Sequence, residues 1–297
     1  MSNATKSALK RLESAKDLSR FMAEYYYALD EADRSTKQKI AWCTSVGPAE
    51  LLRGMGYQIY FPETHSAMLG ATRMATDLIP TATAMGYSPE ICSYLTADIG
   101  AFVKGITPLA KALESITQVS KPDILVYNTN QCRDVQDWFT WYADKFKVPV
   151  IGIQSHRSVG AITESHITSI AAQIENLVEP LEQVAGQKLD MDAFKHAVAL
   201  SRQCSDLWEK CLATALARPA PLTSLTARPS WDRRWWAAER KRLWMSTVCC
   251  WRNWNRAWPT TWGPWLTKSD TVCIGMVCRY GDAWGCIPRC LPNSAPM

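Results

Sequence analysis

Residues 123–154, DILVYNTNQCRDVQDWFTWYADKFKVPVIGIQ, read as a strand, a short polar loop ending in Cys132, an amphipathic helix and a second strand. In an open parallel sheet the carboxyl ends of the strands form the ligand crevice, and Asn128-Thr129-Asn130-Gln131-Cys132 falls just past such an end. Function is therefore expected at this loop, where a thiol can meet ligands from other strand ends.

The rest of the chain repeats this alternation. Residues 4–38 carry apolar positions at helical spacing (Leu9, Leu12, Leu18, Phe21, Met22, Tyr25, Leu29) and predict one or two leading helices that pack as an arm. Lys39-Ile40-Ala41-Trp42 predicts a short buried strand, and the loop from Cys43 to Pro48 leads into a helix that has Glu50 in its first turn. YQIYF at 57–61 predicts a second strand, and residues 68–85 a single helix ending at Gly86. Ser88-Pro89-Glu90 has cap and first-turn chemistry, which puts Cys92 in the first turn of a further helix and favours its thiolate. Two long helices, about 164–184 and 191–217, follow the loop holding His156 and Arg157. The predicted class is α/β, with an open parallel, doubly wound (Rossmann- or flavodoxin-like) sheet and with leading and trailing helices.

With 297 residues and 47% hydrophobic content the chain can bury a sizeable core without disulfide or metal staples. The polar start MSNATKSALKRLESAKDLSR has no apolar signal region, and nowhere do about 18 apolar residues run together, so the expectation is a cytoplasmic protein without a membrane span. The formal charge of +5 divides unevenly: −2 over residues 1–223 and +7 over the last 74, which also hold ten of the 14 Trp and six of the 11 Cys. No ordinary globular domain has that composition.

Cys43 and Cys132 each follow a predicted strand and Cys92 opens a helix, so a doubly wound topology brings three thiols to one edge of the sheet. Three thiolates with one open position suit an iron–sulfur cluster, whereas the alternative is that each cysteine fills an apolar gap in the core. Cys204 and Cys211, seven apart on a late helix, read as core. Among the four histidines, His65 and His156 are placed in loops where a proton donor is useful, and Glu50 is a candidate acid or base beside Cys43. Glu50 read structurally is a helix-start charge, and His166 and His196 fall on helices. There is no GxGxxG, GxxxxGK[ST] or HExxH, so dinucleotide, P-loop and zincin chemistry have no support, and ATP chemistry would come from a partner.

The runs AWCTSVGPAELL, GYSPEICSYLTADIGAF and VYNTNQCRDVQDWF resemble the benzoyl-CoA reductase and 2-hydroxyacyl-CoA dehydratase family, over residues 37–223. The resemblance implies a two-domain α/β subunit with a [4Fe-4S] cluster, paired with a homologous subunit and supplied with single electrons by an ATP-dependent iron–sulfur activator. The implied substrate is an acyl-CoA thioester, either an aromatic ring that is reduced, which the motifs favour, or a 2-hydroxyacyl group dehydrated through a ketyl radical. Carried onto this chain, Cys92 and Cys132 match the motif cysteines. Cys43 is the local choice for the third ligand, and some members of the family take theirs from the second domain. A non-catalytic partner or maturation protein of the same fold is the alternative.

After Thr223 the resemblance stops. Shifting the reading by one base lets SWDRRWWAAE (230–239), CWRNWNRAW (250–258) and residues 267–284 each encode family-like strings in one constant frame. The expected organisation is thus an N-terminal helical arm (1–38), an α/β cluster-binding domain (39–160), long helices (161–223) and an out-of-frame tail (224–297), with the family's second α/β domain missing or scrambled. Read literally, the tail would be a cysteine knuckle or a basic, Trp-rich nucleic-acid surface. Its cysteine spacings fit no standard zinc pattern and its Trp residues show no period, so no nucleic-acid partner is expected.

Overall fold

The computed structural model describes residues 14–130, 132–156 and 160–216. The tail and the first part of the N-terminal arm lie outside the described residues. Elements in chain order are α1 (Ser14–Ser35), β1 (Ile40–Cys43), α2 (Ala49–Gly54), β2 (Gln58–Tyr60), α3 (Pro62–Ala71), α4 (Ala75–Ala84), α5 (Ser93–Lys104), α6 (Leu109–Ala112), β3 (Ile124–Asn128), α7 (Asp134–Phe146), β4 (Val150–Ile153), α8 (Glu164–Ala185) and α9 (Met191–Ala213). Among the described residues, no helix is long and apolar enough to cross a membrane.

Two compact units are distinguished. One includes residues 14–27 and 196–216; the other runs from 28 to 195 and contains the whole sheet. The four strands are all parallel in the order β2-β1-β3-β4, with Ala41 paired to Ile59 on one side and to Ile124 on the other. The strand order reverses at the β1–β3 pair, so the topological switch point lies there; by the right-handed crossover rule the β1-α2-β2 and β3-α7-β4 connections fall on opposite faces. The α/β class and the open parallel sheet agree with the sequence. Every residue of β1 is buried, as a central strand covered on both faces requires.

Two helix boundaries differ from expectation. The single helix predicted over 68–85 is two, because α3 ends in a Schellman motif: Met74 N–H bonds the Leu69 carbonyl and Arg73 N–H that of Gly70. Arg73 takes the left-handed position at φ 60°, where sequence reading looks for glycine. Around Ser88, the Glu90 N–H bonds the Ser88 hydroxyl but the turn is not continued, and the helix begins at Ser93 with Cys92 as its N-cap.

Helices α4 and α5 cross closely at Gly100, where an added Cβ would lie 2.1 Å from the Leu78 carbonyl oxygen. Since that neighbour is backbone, the helices must separate to admit a methyl group. Gly100→Ala is expected to destabilise the protein by about 1–3 kcal/mol in urea titration, despite the higher helix propensity of alanine. An unchanged midpoint would contradict this contact.

Candidate functional site

The carboxyl edge of the sheet is tied into one polar lattice by Asn128, the last residue of β3. Its backbone N–H donates to the Thr44 hydroxyl (3.1 Å) and its side-chain amide to the Val46 carbonyl (3.0 Å), both in the loop after β1. Its side-chain oxygen accepts from Asn130 N–H (2.9 Å) and from the Ser155 hydroxyl (2.7 Å), and Ser155 N–H donates to Thr129 (3.0 Å). Three strand-end loops are thereby held in register on either side of the switch point. Glu63, in the first turn of α3, adds a fourth tie by accepting the Ser45 N–H. Burial holds its carboxyl above the ordinary range, against the two Ser45 hydrogen bonds that pull it down.

Two of the three predicted thiols share a neighbourhood at this edge. Cys92 caps α5 and Cys132 precedes α7, both half-buried, and Cys132 senses charge on Cys92. Burial pushes the Cys132 thiol up; the backbone N–H groups of Val135 and Asp134 that face its sulfur work the other way, while the Asp134 and Cys92 charges add to the rise. Amide groups directed at a cysteine sulfur are what tune thiolate-bound iron, and a metal deprotonates a coordinating thiol outright.

Cys43 is placed differently. As the last residue of β1 it is fully buried, and its sulfur lies 2.4 Å from where a Cβ on Gly47 would stand. Burial pushes its thiol well above the ordinary value, and the Glu63 and Glu50 carboxylates push it further, with Arg53 opposing. Among the described residues no group of three His, Cys, Asp or Glu side chains is arranged to hold a metal. All three cysteines are the soft thiol donors that an iron–sulfur cluster takes, Cys92 and Cys132 half-buried and Cys43 buried.

Of the two acid–base candidates, Glu50 stands half-exposed in the first turn of α2, at the same edge. His65, expected in a loop, is instead in α3 and buried. Its Nδ1 is 2.6 Å from Asp98 Oδ1 and its Nε2 is 3.0 Å from the Thr107 hydroxyl. The other Asp98 oxygen accepts from Tyr142 O–H (2.5 Å) and Trp138 Nε1–H (3.2 Å). Both ring nitrogens of His65 are therefore engaged in a core network joining α3, α5 and α7. His156 lies beside His166, ring centroids 4.8 Å apart, at the start of α8.

Buried thiols set an alkaline limit. Burial lifts Cys204 from 9.0 to about 11, and Cys43 shifts in the same direction. In the unfolded chain such thiols ionise from about pH 8.5. Above that pH the unfolded state binds fewer protons than the folded one, so stability is fully present below about pH 8.5 and falls as pH rises toward 11. Urea midpoints are expected to be lower at pH 10 than at pH 7, by less in Cys204→Ala. A midpoint independent of pH over this interval would contradict the burial of these thiols.

Known proteins share this sequence pattern. The family described as 2-hydroxyglutaryl-CoA dehydratase, D-component, matches residues 44–244. The (R)-phenyllactyl-CoA dehydratase alpha subunit of Clostridium sporogenes is 24% identical over 197 residues, covering 66% of this chain and 46% of its own length. The lactoyl-CoA dehydratase alpha subunit of Anaerotignum propionicum is 27% identical over 212 residues (68% and 50%). A benzoyl-CoA reductase subunit of Thauera aromatica is 29% identical over 164 residues (54% and 37%). The chain spans about half the length of the curated relatives it matches.

Proposed function

Because the chain belongs to the 2-hydroxyglutaryl-CoA dehydratase D-component family, we propose that it is an iron–sulfur subunit that accepts low-potential electrons and passes them to an acyl-CoA thioester. This reading is supported by the family match together with the half-buried Cys92 and Cys132 at the starts of α5 and α7, where backbone N–H groups of Val135 and Asp134 face the Cys132 sulfur. Bound there, a [4Fe-4S] cluster supplies a one-electron relay. Cys92 and Cys132 would hold it as two of its ligands, and we assign the third to a residue other than Cys43, whose sulfur is fully buried and lies against Gly47.

The chain's own residues do the rest. Asn128 and Glu63 hold the loops after β1, β3 and β4, and with them the loop that leads to Cys132. Glu50 is the proton-handling group at this edge, and His65 serves the core instead. A homologous subunit and an ATP-dependent iron–sulfur activator complete the assembly, in the cytoplasm.

Reduction of an aromatic acyl-CoA is our first assignment, from the motifs AWCTSVGPAELL and VYNTNQCRDVQDWF. Dehydration of a 2-hydroxyacyl-CoA is the second, favoured by the family that matches and by the dehydratase alpha subunits among the relatives. The test is an anaerobic incubation of the assembled subunits with reduced activator, ATP and either benzoyl-CoA or a 2-hydroxyacyl-CoA. A dienoyl product from the first supports the reductase, an enoyl product from the second the dehydratase, and neither product overturns both.

We infer further that the tail is translated out of frame from a point after Thr223, the family match itself ending at residue 244. Sequencing the coding DNA is expected to reveal one base gained or lost near codon 223. An intact reading frame through that codon, with no open neighbouring frame, would contradict it.

A further inference from the structure

Away from the thiols, α5, α7 and the sheet enclose a cavity of about 160 Å³. Its floor is aromatic. Trp42 of β1 meets Tyr142 at 4.8 Å and Phe146 at 5.4 Å between ring centroids, and Phe102 of α5 meets the same two rings at 5.4 and 5.3 Å, all of them edge to face. Phe102 and Phe146 come from the C-terminal ends of α5 and α7, and the far wall is the segment Thr117–Val119 with Lys121, which leads into the amino end of β3. Cys92 and Cys132 stand at the opposite ends of the same two helices.

Size and chemistry together restrict what fits. A dry cavity of about 150 Å³ takes a benzene-sized molecule. The polar groups of its inner wall are engaged with one another or with backbone: His65 with Asp98 and Thr107, Tyr142 with Asp98, and Trp42 Nε1–H with the Ser120 carbonyl at 3.0 Å. The interior therefore recognises an apolar ring by shape and by edge-to-face contact. At the mouth, Phe102 and Ile106 leave about two-fifths of their surface in water, although both are large and apolar. Beside them stand the exposed Gln118 and Lys121, a hydrogen-bonding group and a cation. Lys121 is anchored by its backbone N–H, which donates to Asp33 (3.3 Å) and leaves the segment fixed as a rim.

We propose that this slot is a binding site for a monocyclic aromatic carboxylate, the ring seated among Trp42, Phe102 and Tyr142 and the carboxylate directed to Lys121. It is separate from the thiol edge and does not depend on a cluster being present.

The test is saturation-transfer NMR on the full chain with benzoate and, in a second arm, toluene. Benzoate ring protons are expected to receive saturation with a dissociation constant of roughly 1 mM or tighter, and equally so in the Cys92→Ser, Cys132→Ser double variant. Ile106→Trp and Gln118→Trp, both at exposed positions, fill the mouth and are expected to abolish transfer while far-UV circular dichroism and the melting midpoint stay unchanged. Lys121→Gln is expected to weaken benzoate about fivefold and leave toluene as it was. Absence of transfer, or transfer that survives both tryptophan substitutions, overturns the site. Benzoate binding that is insensitive to Lys121→Gln overturns the carboxylate assignment. Loss of binding in the cysteine double variant would return the signal to the thiol edge and likewise overturn it.

Discussion

Cys92→Ser and Cys132→Ser, each made singly, are expected to reduce acyl-CoA turnover by at least about a thousandfold, with the protein still folded. A serine hydroxyl is a hard, weakly acidic donor that does not replace a thiolate on iron. Because the two side chains sit at helix starts and are only half-buried, the substitution removes the proposed ligand without opening the core. Cys43→Ser supplies the contrast. Its sulfur is fully buried and lies against Gly47, so the change is expected to lower stability by about 1–2 kcal/mol and to leave visible absorbance intact. If Cys43→Ser bleached the protein while Cys92→Ser did not, the assignment of the pair would be wrong.

The second large effect lies in the core. Asp98 is 3% exposed and bonds His65, Tyr142 and Trp138 at once. Burial, with the Asp98 charge next, keeps the Tyr142 phenol protonated well above its ordinary range. Asp98→Ala removes the shared acceptor and leaves three buried donors to find new partners. Breaking such a network on one side costs about 3–5 kcal/mol, which for a domain of this size lowers the melting midpoint by about 10 °C. Asp98→Asn keeps one acceptor oxygen and is expected to lose less. Equal midpoints for Asp98→Ala and the parent would mean that the network contributes nothing.

What can be read from the sequence is local pattern. The stretch 123–154 resolves into β3, α7 and β4 because its apolar residues change period, with Val135, Trp138, Phe139 and Tyr142 on one helix face and all four buried. Strand-loop-helix order also places Cys92 and Cys132 at the same edge. What escapes is long-range. Asn128 reaches Thr44 and Val46 across more than 80 positions, and Asp98 reaches His65 across 33 and Tyr142 across 44. No spacing rule encodes such partners, so in the sequence Asn128 is only a loop residue, Glu63 and Asp98 do not stand out at all, and His65 has the look of a free proton donor. The end of α3 escapes for a different reason: Arg73 adopts a conformation that glycine usually signals. Cys43 shows the limit of topology, since standing last in a strand fixes its edge but not how deeply its sulfur is buried there.

The measurement that tests the central claim most directly is iron and acid-labile sulfide per chain, in protein co-expressed with its partner subunit and purified without oxygen. The account predicts about four of each, unchanged in Cys43→Ser and lost in both Cys92→Ser and Cys132→Ser. Negligible iron in the folded, assembled protein, or iron retained when both Cys92 and Cys132 are replaced, would contradict it.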